Sequence, residues 1–169
     1  METYTFRQTS EADLPAIMTI VKEVQANFHH AGVDQWQDGY PNEETFRQDM
    51  RNGESYVLLR GDTLVATAMI CFRGEPTYEE IEGAWLTDEP YVVVHRIAVM
   101  PALRGQRLAD RIFDHVRQLC KEKGVGRQRI DTHTDNRSMR RVIERQGYTY
   151  CGIIYVRGHS PRLAYEKAL

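Results

Sequence analysis

The sequence predicts a mixed α/β fold in which a central, mostly antiparallel sheet carries helices on both faces. Three observations carry this. Runs of strand-like and helix-like apolar spacing follow one another in the order β-α-α-β-β-β-α-β-α-β-β. Gly61-Asp62 joins two apolar runs and signals a hairpin, hence antiparallel neighbours. Midway, a β-branched run, a turn containing arginine and glycine, a helix and a further strand form a β-α-β unit, whose crossover is right-handed.

The elements follow in order. YTFRQTS (4–10) alternates as a first strand, and Ser10 then stands as a helix N-cap with Asp13 three residues on. LPAIMTIVKEVQANFHH (14–30) sets Leu14, Ile17, Ile20 or Val21, Val24 and Phe28 on one helical face. AGVDQWQDGYP (31–41) is a turn-rich loop, and NEETFRQDMRNG (42–53) is a short helix capped by Asn42 and stopped at Gly53. SYVLLR (55–60) and TLVATAMICF (63–72) are the hairpin strands. The next segment, 73–90, reads as irregular with one helical turn around 79–82. YVVVHRIAV (91–99) is strongly β-branched, which favours a strand. GQRLADRIFDHVRQLCKEKG (105–124) is a helix with Leu108, Ile112, Val116 and Leu119 inward and Gly124 as its stop. Strand 127–134, helix 136–147 and strands 148–156 and 163–168 complete the chain.

A length of 169 residues suits a single domain spanning 1–169. The net charge of −2 provides no overall basic field, so neither nucleic acid nor an anionic membrane is an expected partner. METYTFRQTSEADLP lacks a basic region followed by an apolar one, and no stretch is long enough to span a bilayer, so the expected location is cytoplasmic. Cys71, Cys120 and Cys151 lie far apart and read as reduced, packed thiols. The histidines show no ligand spacing such as H-E-x-x-H, and no metal is expected.

VMPALRGQRLAD (99–110) sets Arg104-Gly105-Gln106-Arg107 between a strand and a helix. A helix N-terminus offers outward N–H groups, and two guanidinium groups beside it make a phosphate site. The glycine fingerprints of dinucleotide and nucleoside-triphosphate sites are absent. HRIAVMPALRGQRLAD, DTHTDNRSMRRVIERQGY and CGIIY together resemble the GNAT superfamily of acetyl-CoA-dependent N-acetyltransferases, in element order over nearly the whole chain. The resemblance implies a GNAT-like acyl-CoA N-acyltransferase fold with acetyl-CoA as co-substrate. It assigns the pantetheine arm to the backbone of Ile97, Ala98 and Val99. The pyrophosphate falls to Arg104, Gly105, Gln106, Arg107, Leu108 and Ala109, and the far side of the arm to Asn136 and Met139. The N–H of Val99 becomes the oxyanion donor. Arg107 departs from the family pattern, which has glycine there. With a negative φ its side chain would fold over the phosphates; the alternative is a solvated arginine.

His95 is the candidate base. It lies two residues before Ile97 on a strand, some family members carry a histidine or glutamate base there, and its titration range suits the task. A partly buried strand histidine is the alternative. The tyrosine that many relatives use as the acid is Ile143 here. Asn136, Met139 and Ile143 share a helical face without a proton donor, leaving Ser138, Tyr148, water or direct thiolate departure. Loops 29–40 and 77–90 would build the acceptor pocket with Trp36, Tyr40, Tyr78 and Trp85, unless these only cover the core. Asp34, Asp38, Glu79, Glu80 and Glu82 would attract a cationic amine. The implied activity is acetyl transfer to a primary amine of a small molecule or peptide by direct attack in a ternary complex, by a monomer or homodimer. A non-catalytic acyl-CoA sensor and a scaffold that binds a protein through the aromatic loops are the competing readings.

Overall fold

The computed structural model describes residues 2–169. The chain forms two compact units. The first runs through Ile70 and adds Arg96–His115; the second takes Cys71–His95 and Val116–Leu169.

In the first unit, strand β1 (Tyr4–Gln8) pairs antiparallel with β2 (Ser55–Arg60), and β2 with β3 (Thr63–Cys71). Gly61 turns the hairpin at φ +58°, a conformation glycine takes at no steric cost. Next to β3 lies β5 (Tyr91–Val99), whose last residues belong to this unit. Helix α1 (Leu14–His30) follows a 3-10 turn, Glu11–Asp13. The Ser10 N–H donates to Asp13 Oδ2 at 2.8 Å, closing the start of that turn. Helix α2 (Glu43–Arg51) is capped by Asn42, whose Oδ1 accepts from the Thr45 N–H at 3.0 Å. Leu14, Ile17, Ile20 and Val21 of α1 form the core with Phe46, Val57, Leu64 and Ala98.

In the second unit, the first half of β5 runs parallel to β6 (Arg127–Thr132). Antiparallel β8 (Ser160–Ala168), β7 (Thr149–Val156) and β4 (Glu82–Gly83) follow outward. Helix α4 (Arg137–Arg145) lies between β6 and β7 in sequence, and helix α3 (Leu108–Lys123) has residues in both units. The fold is thus the expected mixed α/β class, with an eight-stranded sheet ordered β1-β2-β3-β5-β6-β8-β7-β4.

Three elements differ from the expectation. The helical turn of segment 73–90 is the 3-10 turn Pro76–Tyr78, not 79–82. Glu75 starts it by accepting the Thr77 N–H at 3.4 Å, and Pro76 fixes φ for the first position. The same segment supplies strand β4, where Gly83 faces Gly152 on β7. A Cβ on Gly83 would stand 2.2 Å from the Cys151 carbonyl oxygen, so this approach needs glycine. Helix α3 begins at Leu108, because Gly105 and Arg107 before it are left-handed. Its buried face is Leu108, Ile112, Phe113, Val116 and Cys120, with Leu119 only half-buried. The cysteines form no disulfide; all three are buried, and burial pushes the Cys120 thiol up to about 11.

Candidate active site

In the first unit the catalytic-strand candidate β5 is kinked. Arg96 has φ +50°, a left-handed residue inside a strand, which costs about 1–2 kcal/mol for a side chain with a Cβ. Its guanidinium explains why the kink persists. Nε and Nη2 donate to the two oxygens of Asp49 at 2.8 and 2.5 Å, and Nη1 donates to the Tyr40 hydroxyl at 2.6 Å. Burial is the largest single influence and disfavours the Arg96 cation, but the hydrogen bonds and charges of Asp49 and Tyr40 together outweigh it, and the guanidinium titrates above its ordinary range. The kink also breaks the two-residue alternation, so the shared face of His95 with Ile97 and Val99, argued from a regular strand, does not carry across it. Neither Arg96 nor Asp49 carries a sequence signal, because the sign of φ is not written in apolar periodicity.

Beyond the kink, Ala98 is buried while Ile97 and Val99 are half-buried. The Met100 N–H donates to Val65 O at 2.8 Å. The β5–β6 ladder covers only Tyr91–Val93 against 127–129, so residues 97–99 lie past its end. A 3-10 turn, Pro101–Leu103, leads into exposed Arg104, Gly105, Gln106 and Arg107. The Gln106 N–H donates to Leu103 O at 3.2 Å, and Arg60 Nη1 donates to Gln106 Oε1 at 3.1 Å. Leu108 and Ala109 open α3 with buried side chains, and first-turn N–H groups of a helix have no intrahelical acceptor. Arg107 does not keep the negative φ expected of it: it sits at +57°, in the region that glycine occupies without strain. That is the physical reason for a glycine at this position.

The second unit holds a cluster around His95. Its Nε2 lies 3.0 Å from Glu75 Oε1, and its Nδ1 lies 3.5 Å from Asp131 Oδ1. The Tyr78 hydroxyl donates to the same Asp131 oxygen at 2.5 Å. Burial, reinforced by the Asp131 charge, pushes the Tyr78 hydroxyl well above its ordinary range, so it stays protonated and donates. Tyr91 belongs to the same group, its hydroxyl accepting from the Glu75 N–H at 3.3 Å. Sequence reasoning missed Glu75 and Asp131: one sits in the segment read as irregular, the other near a strand end, and only tertiary folding brings them to His95.

The remaining candidates divide between the units. Tyr78 and Trp85 come together, with ring centroids 5.1 Å apart and the Trp85 Nε1–H donating to Tyr78 O at 2.8 Å. Trp36 and Tyr40 belong to the first unit: Trp36 packs edge-on against Phe28, and the Tyr40 hydroxyl accepts from Arg96. Asp34, Asp38, Glu79, Glu80 and Glu82 are exposed. In the second unit, Asn136 caps α4 by accepting the Met139 N–H at 3.1 Å, and Met139 is half-buried. Ile143 is fully buried core. The Tyr148 hydroxyl is buried and donates to Gln128 Oε1 at 3.0 Å, and burial drives its titration up, so it stays protonated within the core.

Comparison with known proteins decides the family. The model of the Acetyltransferase (GNAT) family matches residues 19–148. The chain belongs to the GNAT acetyltransferase family. A GNAT acetyltransferase structure from Streptococcus agalactiae is 33% identical, with a TM-score of 0.87 over 98% of this chain and 95% of that one. A GNAT acetyltransferase from Listeria monocytogenes, 19% identical, covers 98% of this chain and 95% of its own at a TM-score of 0.75. The PaiA N-acetyltransferase from Thermoplasma acidophilum, solved with coenzyme A, is 13% identical with a TM-score of 0.73, over 99% of each chain. At those lower identities the likeness is one of fold. A search of curated proteins returned no match. As a GNAT protein the chain is an acyltransferase, and the family takes its acyl group from acyl-CoA, acetyl-CoA above all, to amine acceptors. Among the described residues no group of His, Cys, Asp or Glu is placed to hold a metal ion, and no helix is long and apolar enough to cross a membrane.

Proposed function

We propose that this GNAT protein transfers the acetyl group of acetyl-CoA to a primary amine of a small molecule or peptide, by direct attack in a ternary complex. The observation that carries the reading is the exposed turn 104–107, with Gly105 and Arg107 both left-handed ahead of the first turn of α3. The Arg104 and Gln106 N–H groups are taken up within the turn, so the free donors are the first-turn N–H groups of α3, and the exposed Arg104 and Arg107 add charge-assisted donors beside them, which together suit a pyrophosphate. Ile97 and Ala98, past the end of the β5–β6 ladder, offer backbone groups to the pantetheine arm in the manner of an added strand. The Val99 N–H stabilises the oxyanion that forms when the amine attacks the thioester. The amine loses its proton at His95 and the carboxylates against it. The sulfur leaves as thiolate. Ile143 supplies no acid and the Tyr148 hydroxyl is locked in the core, while a thiol pKa near 8.5 makes an unassisted departure feasible.

The test is thiol release from acetyl-CoA against a panel of alkylamines, polyamines and peptides with free N-termini, alongside calorimetric binding of acetyl-CoA. Binding together with amine-dependent thiol release supports the reading. Binding without release from any amine supports an acyl-CoA sensor instead.

A further inference from the structure

We propose that Asp131 is the residue that holds the acceptor, its Oδ2 accepting an N–H of a cationic primary amine. The inference rests on the amine-acetylation reading above and narrows it to acceptors that arrive as ammonium ions.

The charge balance on one face of β6 leads there. Alternation along the strand puts Arg127, Arg129 and Asp131 on the same face. Both arginines are committed to Glu166, which is completely buried. Arg127 Nη2 lies 2.7 Å from Glu166 Oε2, and Arg129 Nε donates to Glu166 Oε1 at 2.8 Å. Arg129 is held further by its Nη2, which donates to Thr87 O at 2.6 Å, and by the rings of Trp85 and Tyr91 at 4.2 and 4.1 Å. Neither guanidinium is left for Asp131. Among the described residues Asp131 pairs with no lysine or arginine, although its side chain is only 10% exposed.

The two oxygens of Asp131 differ. Oδ1 accepts from the Tyr78 hydroxyl at 2.5 Å, and it is also the oxygen that His95 Nδ1 approaches, at 3.5 Å. Oδ2 accepts from no donor among the described residues. It is not sealed in either: the partnerless side-chain atoms shut off from solvent are Thr77 Oγ1, Gln128 Nε2 and Thr132 Oγ1. A carboxylate largely removed from water needs its acceptor sites filled, and a cation carrying N–H groups fills them best. A primary ammonium is such a cation.

Tyr78 also fixes the direction of this contact. It is buried, its hydroxyl holds Oδ1, and its carbonyl accepts the Trp85 Nε1–H at 2.8 Å. The carboxylate is therefore oriented before the amine arrives, which lowers the cost of binding. The exposed Asp34, Asp38, Glu79, Glu80 and Glu82 lie in water, where charge attracts an amine weakly and without geometry. An alcohol of the same shape brings no charge to Asp131 and is discriminated against on that account.

The experiment uses Asp131→Asn with acetyl-CoA and, as acceptors, n-butylamine, spermidine and a peptide with N-terminal alanine. Asparagine keeps the oxygen that Tyr78 needs and sets an NH₂ donor in place of Oδ2. KM for the amine should rise by about 10–10²-fold, the loss of one hydrogen bond between charged groups, with kcat within threefold and acetyl-CoA affinity within twofold. The variant should melt no lower than wild type, because a carboxylate with an incomplete set of partners is exchanged for a neutral amide. A KM within twofold of wild type overturns the assignment, and so does a KM rise matched by losses of acetyl-CoA affinity and melting temperature. A second arm needs no turnover. In protein labelled with ¹³C at the aspartate carboxyls and saturated with CoA, the resonance missing from Asp131→Asn or Asp131→Glu is that of Asp131. It should move on addition of the ammonium form of the amines and stay still with n-butanol or with potassium chloride at matched ionic strength. No movement with any of the three amines overturns the proposal whatever the kinetics show. Movement without thiol release from any amine keeps Asp131 as an ammonium site and refutes the acetylation reading instead.

Discussion

Replacing Asp49 by alanine should destabilise the protein severely, and replacing Arg96 as well should give part of that stability back. Asp49 is almost completely buried, and its side chain answers a guanidinium that is itself only 13% exposed. Removing one member of a buried pair leaves an uncompensated charge, which typically costs about 3–5 kcal/mol. For a chain of this size each kcal/mol moves the melting temperature by roughly 2–4 °C, so Asp49→Ala should melt about 6–20 °C lower. Arg96→Gly in the Asp49→Ala background removes the orphaned cation. It also gives φ +50° to a residue that adopts it without strain, about 1–2 kcal/mol in the stabilising direction. The double variant should therefore melt above Asp49→Ala alone. Calorimetry or denaturant titration of wild type, both single variants and the double variant closes the cycle. A double variant that is less stable than Asp49→Ala, or an Asp49→Ala loss below about 1 kcal/mol, would refute the view that this pair holds the kink in β5.

Three further outcomes follow from the same structure. Arg107→Gly relieves the left-handed strain at φ +57° but removes a phosphate donor, so acetyl-CoA affinity should fall by the roughly 1.5–3 kcal/mol of a charge-assisted bond while thermal stability holds; unchanged affinity in calorimetry would make Arg107 a solvated side chain. The Arg7 guanidinium, with bonds of 2.7 and 2.9 Å, holds Asp13 down at about 2, so the stability this pair contributes is present above the ordinary carboxylate range and lost as pH falls from about 4 through 2. Acid titration of Arg7→Met should show a flatter decline over that window. Ile143→Tyr, which restores the family's usual hydroxyl, should overpack a fully buried site at a cost of about 1–3 kcal/mol without raising kcat, checked by melting and turnover together.

Much of the fold was legible because its signals are local. The bounds of α1, β2 and β5 coincide with the apolar periodicity, and Ser10, Asn42 and Gly124 stand where helix starts and stops require them. Strand β4 was not legible: two residues long, it rests on the fit of Gly83 against Gly152, which only the folded chain reveals. The turn 104–107 could be read as residue types, whereas the left-handed backbone of Arg96 and Arg107 could not, since each is held by tertiary context or turn geometry rather than by composition. His95 stood out as a titratable residue in an apolar strand. Its partners Glu75 and Asp131 lie 20 and 36 residues away in sequence, and no spacing rule connects them.

The central claim, amine acetylation from acetyl-CoA, is tested most directly by following the acetyl group itself. With acetyl-CoA labelled in the acetyl carbon and an amine that supports thiol release, the label should appear on the amine nitrogen, one acetyl for each thiol freed, with none left on the protein. Label retained on an enzyme side chain would contradict direct attack in a ternary complex, and tight acetyl-CoA binding without any label transfer would contradict acetyltransfer altogether.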